Sequence, residues 1–238
     1  FLVAILSWFL IKEYLNFTKL HFQFWPMLIR FGFPLFLGGL ANYFMSVNDR
    51  LFVQNFHGFQ ELGIFALAAK VTMLATLTVN TFRQAWWPIA MESLQSNDGF
   101  KTFRTIARFY MAAASCCLII LTVLSPFLIN ILATPEFSNA TPVIAILAWQ
   151  AIFYGFFMIV SAGIWKSEKT YLTLQSSLIS LVLGVIMNYL LVPKYASFGA
   201  ALATAISYCF WIFFHTIQFS HSSNVWTIPL NHKFFGFI

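Results

Sequence analysis

A lysine at position 70 and an aspartate at position 49, each set in a long apolar run, are the groups in this 238-residue chain whose chemistry most needs a setting. In FGFPLFLGGLANYFMSVNDRLFV (31–53), Gly38, Asn42, Ser46 and Asp49 recur at helical spacing and form one small, polar stripe. In GIFALAAKVTMLATLTVNTFRQAWW (63–87), Gly63, Ala66, Lys70 and Thr81 share a face that Leu74 and Leu77 interrupt. A lysine at the centre of a membrane span costs about 3 kcal/mol to insert, so it turns toward a bundle interior, a cavity or a partner and not toward lipid. Two readings follow, and both can hold at once: Lys70 pairs with Asp49 and locks two helices, or it offers a cation to a cavity.

The setting is a membrane. Apolar residues make up 60% of the chain and charged residues 8%, with a mean hydropathy of +0.80. That excludes a soluble globular domain. The apolar runs approach the ~20 residues that a helix needs to span a bilayer, without the short alternating segments of a membrane barrel. The expected fold is all-α, a polytopic bundle with six complete spans at Phe31–Val47, Leu62–Phe82, Phe109–Leu132, Pro142–Trp165, Leu172–Val192 and Phe198–Phe219.

Loop chemistry sets these limits. Asn55–Gly58 breaks the first hairpin, Pro88 follows Trp86 and Trp87, Thr134–Pro142 is rich in turn formers, and Pro193 stops the fifth span. Glu92–Arg108 reads as a short amphipathic surface helix. Pro126 is expected to bend the third span unless a neighbour satisfies the carbonyl it frees. Phe1–Ile11 reads as the end of a span begun earlier, residues 12–30 as an aromatic, partly basic connector, and Phe234–Ile238 as the opening of another span, so the chain is expected to be a fragment.

Alternate loops differ in charge. Lys12, Lys19, Arg30, Arg83, Lys101, Arg104, Arg108, Lys166, Lys169 and Lys233 fall on one side, and Arg50 and Lys194 on the other. The positive-inside rule makes the first side cytoplasmic. The net charge of +6 then reflects topology and anionic lipid, with no call for nucleic acid.

Further polar stripes run through Gln150, Tyr154 and Ser161 and through Ser177, Ser180, Gly184 and Asn188, residue types that also serve ordinary helix packing. Gly199, Ala200, Ala201, Ala203 and Ala205 admit a close backbone. Cys116, Cys117 and Cys209 lie within spans and read as packing residues, with no disulfide framework. His21, His57, His215, His221 and His232 lie in or near loops without ligand spacing, so no metal site and no cofactor is expected. The acids Glu13, Asp49, Glu61, Glu92, Asp98, Glu136 and Glu168 are scattered, which argues against a membrane enzyme gathering acid, base or metal ligands at one face.

Four runs carry a resemblance: GFPLFLGGLANYFMSVNDRLFV, ELGIFALAAKVTML, FRQAWWP and MNYLLVPKYASFGAALATAISY. In order and spacing they resemble the C-terminal half of Wzx-type polysaccharide exporters, O-antigen flippases of the multidrug/oligosaccharidyl-lipid/polysaccharide superfamily, with Ala196 where that family most often has glycine. The resemblance implies two six-helix lobes around a central cavity, worked by alternating access in the cytoplasmic (inner) membrane. Residues 1–11 would end the last helix of a missing N-terminal lobe, 12–30 would link the lobes, 31–219 would be the C-lobe, and 220–238 would open a further helix. The implied cargo is an undecaprenyl-pyrophosphate-linked glycan. Lys70, with Arg50 and Arg83 at the ends of its hairpin and Asp49 beside it, would line a wet path for the headgroup, and Asn42, Ser46, Gln150 and Asn188 would bond sugar hydroxyls. The alternatives are a cation-coupled drug antiporter of the same superfamily, expected to hold carboxylates in its cavity, and a membrane enzyme or scaffold of envelope glycan synthesis.

Overall fold

The computed structural model describes residues 24–96, 99–133, 135–167 and 169–222. It comprises four helices, α1 (Trp25–Ser93), α2 (Gly99–Leu132), α3 (Ala140–Ser167) and α4 (Tyr171–Ser222), with a 3-10 turn at Pro135–Phe137 between α2 and α3. Each helix contains a stretch long and apolar enough to cross a membrane, and no strand occurs among the described residues. This is a multi-pass helical membrane protein. The truncated helix expected at Phe1–Ile11, the connector up to residue 23 and the tail beyond residue 222 lie outside the described residues.

A straight helix of the length of α1 would run about 100 Å, roughly three times the hydrocarbon thickness of a bilayer. α1 is not straight. Gly58 takes φ 78 and ψ −171, a backbone conformation that glycine enters without a Cβ clash. Beyond it the chain returns along itself, so that Leu35 and Arg83 line one cavity. α4 folds back in the same way at Ala196, with φ 49 and ψ −132. A Cβ placed on Gly184 in its first arm would lie 3.0 Å from Ser207 Oγ in its second.

Several boundaries differ from expectation. α1 begins at Trp25, inside the stretch read as a connector, and Pro26 suits its first turn because no partnered N–H is lost there. It then runs past Val47, since 48–57 contains neither glycine nor proline. Glu92–Arg108 is no separate helix: α1 continues through Ser93, and α2 starts at Gly99. Pro193 does not stop α4, which breaks three residues later at Ala196. α2 stays helical through Pro126 because Ser125 Oγ donates to the carbonyl of Thr122 at 2.7 Å, the acceptor that the missing N–H of Pro126 would have engaged.

The turns gather at one end of the bundle. A ring nitrogen of His57 lies 2.8 Å from the Val192 carbonyl, and Ser197 donates its N–H to Glu61 Oε1 at 3.2 Å and its hydroxyl to the Glu61 carbonyl at 3.1 Å. The Phe137 ring comes within 3.6 Å of a Cβ placed on Gly63. At the opposite end Thr170 Oγ1 donates to the Phe31 carbonyl at 3.0 Å. Arg50 and Lys194 therefore lie toward the turns, and Arg83, Lys101, Arg104, Arg108 and Lys169 toward the other end.

The core follows these contacts. Val53, Ile64, Phe65, Ala68 and Val71 of α1 pack with Ile144, Leu147 and Ala148 of α3 and with Val192, Ala200 and Ala201 of α4. Trp86, Phe103 and Tyr110 form a second, aromatic cluster. Gly155 admits Tyr110, whose hydroxyl reaches the carbonyl of Ile152 at 3.1 Å. Phe33, Phe36, Val123 and Phe127 stay exposed, as residues facing lipid do.

Candidate functional site

Three polar centres lie among these helices. The first is Asp49, 3% exposed, at the meeting of the first arm of α1 with both arms of α4. Asn188 Nδ2 donates to Asp49 Oδ1 at 2.7 Å and Thr204 Oγ1 donates to Oδ2 at 2.5 Å. Asn188 uses its second N–H on the Gly184 carbonyl at 3.0 Å. A carboxyl group removed from water and lipid alike is thus held by neutral donors from the α4 hairpin.

The second centre is Tyr208, 2% exposed, whose hydroxyl reaches Asn42 Oδ1 at 3.4 Å, with the Gln150 side chain beside it. It joins α1, α3 and α4 through two residues that the sequence nominated separately. Trp211 and Phe157 stack beside it with ring centroids 3.9 Å apart.

The third is a cavity of about 510 Å³ toward the end of the bundle opposite the turns. Leu35, Arg83, Gln84, Trp87 and Pro88 of α1, Phe157, Met158 and Ser161 of α3, and Thr173 of α4 line it. Arg83 is half-buried and brings a guanidinium to a wall that also holds Gln84, Ser161 and Thr173 among aromatic and aliphatic groups. Its five donors in a fixed fork match a phosphate or carboxylate. A second, smaller crevice of about 180 Å³ is apolar and lies between α1, α2 and α3 around Val79, Tyr110 and Ala151.

The nominated residues therefore do not form one site. Asp49 meets Asn188, Asn42 meets Gln150 through Tyr208, and Arg83 stands in the cavity. Lys70, Arg50 and Ser46 are exposed, and Ser46 bonds its own helix at the Tyr43 carbonyl. No ion pair joins Asp49 to Lys70; the carboxylate is engaged by Asn188 and Thr204 instead. His215, read from sequence as lying near a loop, is fully buried in α4 and bonded to Ser176 at 3.0 Å. Thr204 and Tyr208 escaped the sequence reading. Hairpin arithmetic could have found Thr204, because Asn188 and Thr204 stand at equal distances on either side of Ala196.

A helical bundle with apolar outer surfaces and polar groups turned inward defines a polytopic membrane protein. Residues 1–94 match the pattern of the polysaccharide biosynthesis protein family. It is 26% identical over 219 residues to a capsular polysaccharide biosynthesis protein, CapF, of Staphylococcus aureus, covering 87% of this chain and 54% of that protein. It is 24% identical over 212 residues to a probable low-salt glycan biosynthesis flippase, Agl15, of Haloferax volcanii, covering 87% of this chain and 44% of that protein. The chain spans about half the length of these curated relatives. No solved structure matches it.

Proposed function

We propose that this chain is the C-terminal lobe of a flippase that moves lipid-linked glycan repeat units across the cytoplasmic membrane by alternating access. The two hairpins folded at Gly58 and Ala196, together with α2 and α3, give six membrane crossings, with 31–219 as the lobe and 12–30 as its link to a preceding one. The likeness to a flippase of glycan biosynthesis supports the transport reading over an enzyme. The turns then face outward, and the end bearing Arg83, Lys101, Arg104, Arg108 and Lys169 faces the cytoplasm, as the lysine and arginine asymmetry requires.

The observation that carries the reading is Arg83 in the cavity lined by Gln84, Trp87, Ser161 and Thr173. A pyrophosphate-linked sugar needs a cation where it leaves water, with amides and hydroxyls beside it and an apolar flank for its lipid. The fork of Arg83 meets the first need, Gln84, Ser161 and Thr173 the second, and Leu35, Phe157 and Met158 the third. Lys70 and Arg50 would act at surfaces facing the other lobe, with Asn42 and Gln150 presented to sugar around Tyr208 and Ser46 on the same face of α1. Asp49 and Asn188 would shape the centre of the bundle by holding the α4 hairpin to α1.

The test is surface glycan in a flippase-null strain complemented with the full-length transporter. Arg83→Lys should restore part of the export and Arg83→Gln little, at equal membrane protein level. Full export by Arg83→Gln would remove the anion site from this cavity.

A further inference from the structure

The two adjacent tryptophans near the end of α1 stand in different surroundings. Trp86 is 1% exposed and packs against Phe82 and Phe103, with ring centroids 6.5 and 4.8 Å away. It belongs to the core. Trp87, about 100° further round the helix, is half-buried and lines the cavity that holds Arg83. The other aromatic ring of that wall, Phe157, is stacked on Trp211 at 3.9 Å and lies 4.8 Å from the His215 ring. Arg83 and Trp87 stand at i and i+4, so one face of α1 presents a guanidinium and an indole with Cβ atoms about 6 Å apart. A ligand that carries a phosphate next to a ring can meet both.

Pro88 adds an acceptor to the same wall. α1 stays helical through Pro88, which has no N–H to give to the Gln84 carbonyl. At Pro126 the corresponding carbonyl, that of Thr122, is served by the hydroxyl of Ser125. The residue before Pro88 is Trp87, which has no hydroxyl for that repair. Gln84 and Pro88 both line the cavity, a place where a membrane helix tolerates a carbonyl deprived of its helical donor. Ionised phosphate oxygens only accept hydrogen bonds, so a phosphate has no use for this carbonyl. A sugar hydroxyl donates, and can engage it.

We propose that Trp87 and the Gln84 carbonyl read a sugar ring, so that the cavity selects a glycosylated lipid pyrophosphate over the same lipid pyrophosphate without sugar; this rests on the reading of Arg83 as the anion site of a glycan-lipid flippase. Arg83 meets the phosphate of either lipid and therefore contributes affinity without discrimination. Discrimination falls to the groups that a bare pyrophosphate leaves unused. A pyranose carries C–H groups, faintly positive, on its flat faces and hydroxyls around its rim, whereas the face of an indole is apolar and negative. The ring lies against Trp87 and turns its rim toward Gln84. A site built to bond a hydroxyl rejects the analogue that lacks it, because its own polar group is then left without a partner. At about 510 Å³ the cavity falls in the size range of pockets that hold one small ligand, which leaves room for a sugar beside the phosphate.

The test compares two cargoes in one protein. The full-length transporter is reconstituted in vesicles with a polyprenyl pyrophosphate, either bare or bearing a single hexose, each with the same fluorophore on the lipid beside the pyrophosphate. An impermeant quencher gives the exchange rate of each. The hexose-bearing lipid should exchange at least ~5-fold faster than the bare one in the parent. Trp87→Leu should lower that ratio by about 3-fold or more, and Trp87→Phe, which keeps a ring, should hold it within about twofold. Pro88→Ala, which returns an N–H to the Gln84 carbonyl, should lower the ratio without lowering the unfolding midpoint. A wall residue needed only for folding, or only as an aromatic anchor at the membrane boundary, would slow both lipids alike and leave the ratio unchanged. Equal rates for the two lipids in the parent, or a ratio that survives Trp87→Leu, overturns the sugar-reading role even where Arg83→Gln slows both lipids and so upholds the anion site. Exchange of both lipids that Arg83→Gln leaves unchanged overturns the anion site, and the sugar-reading role falls with it.

Discussion

Asn188 holds Asp49 with an amide donor at 2.7 Å, and this contact, together with Thr204, ties the α4 hairpin to α1 where the sequence suggested a pair between Asp49 and Lys70. Removing one partner of a buried carboxyl group leaves it short of a donor. Asn188→Leu should therefore destabilise the protein by about 1–3 kcal/mol. Lys70→Gln, a change at an exposed position, should stay within about 0.5 kcal/mol. The exchange of Asp49→Lys with Lys70→Asp should be no more stable than its worse single change. Thermal unfolding in detergent would check all three, and recovery of parent stability by the exchange would restore the ion-pair lock.

The reason this contact was hard to read lies in the hairpins. Composition and run length sufficed for helices and for a membrane, because those depend on local averages. The stripe at Asn42, Ser46 and Asp49 was legible, and so was the one at Ser177, Ser180, Gly184 and Asn188. Which stripe meets which depends on the turns at Gly58 and Ala196. Gly58 is announced by its residue type, whereas Ala196 is hidden behind Pro193, a stronger breaker on paper that the helix passes. Arg83 was nominated as a hairpin end, but its cavity needs Thr173 and Ser161, which lie far away in sequence.

Ala196 carries a positive φ of 49 that an L-residue with a Cβ adopts at a cost. Ala196→Gly should accordingly raise stability by about 1 kcal/mol, and Ala196→Val should lower it by more than that. Unfolding midpoints of the two variants would check the sign; a loss on introducing glycine would mean the turn is not strained.

Ser125 completes the helix around Pro126, so the two positions should be coupled. Ser125→Ala should cost about 1 kcal/mol in the parent and close to nothing in a Pro126→Ala background, where the backbone N–H of the new alanine can reach the Thr122 carbonyl. A double-mutant cycle measures the coupling, and purely additive effects would show that the hydroxyl does not serve that carbonyl.

The end bearing Gly58 and Ala196 should face outward. A cysteine placed at exposed His57 should react with an impermeant thiol reagent on intact cells, whereas one at exposed Gln95 should react only after the membrane is permeabilised. The parent thiols at Cys116, Cys117 and Cys209 are first replaced by alanine. The reverse pattern would invert the topology.

Flipping itself is the most direct measure. The full-length transporter is reconstituted in vesicles holding a fluorescent lipid-linked oligosaccharide, and the fraction of headgroups open to an impermeant quencher is followed with time. The account predicts exchange between leaflets well above that of protein-free vesicles, reduced at least ~10-fold by Arg83→Gln, the loss expected for one charge-assisted bond to the headgroup, and partly kept by Arg83→Lys. Exchange no faster than in protein-free vesicles, or unchanged by Arg83→Gln, would contradict it.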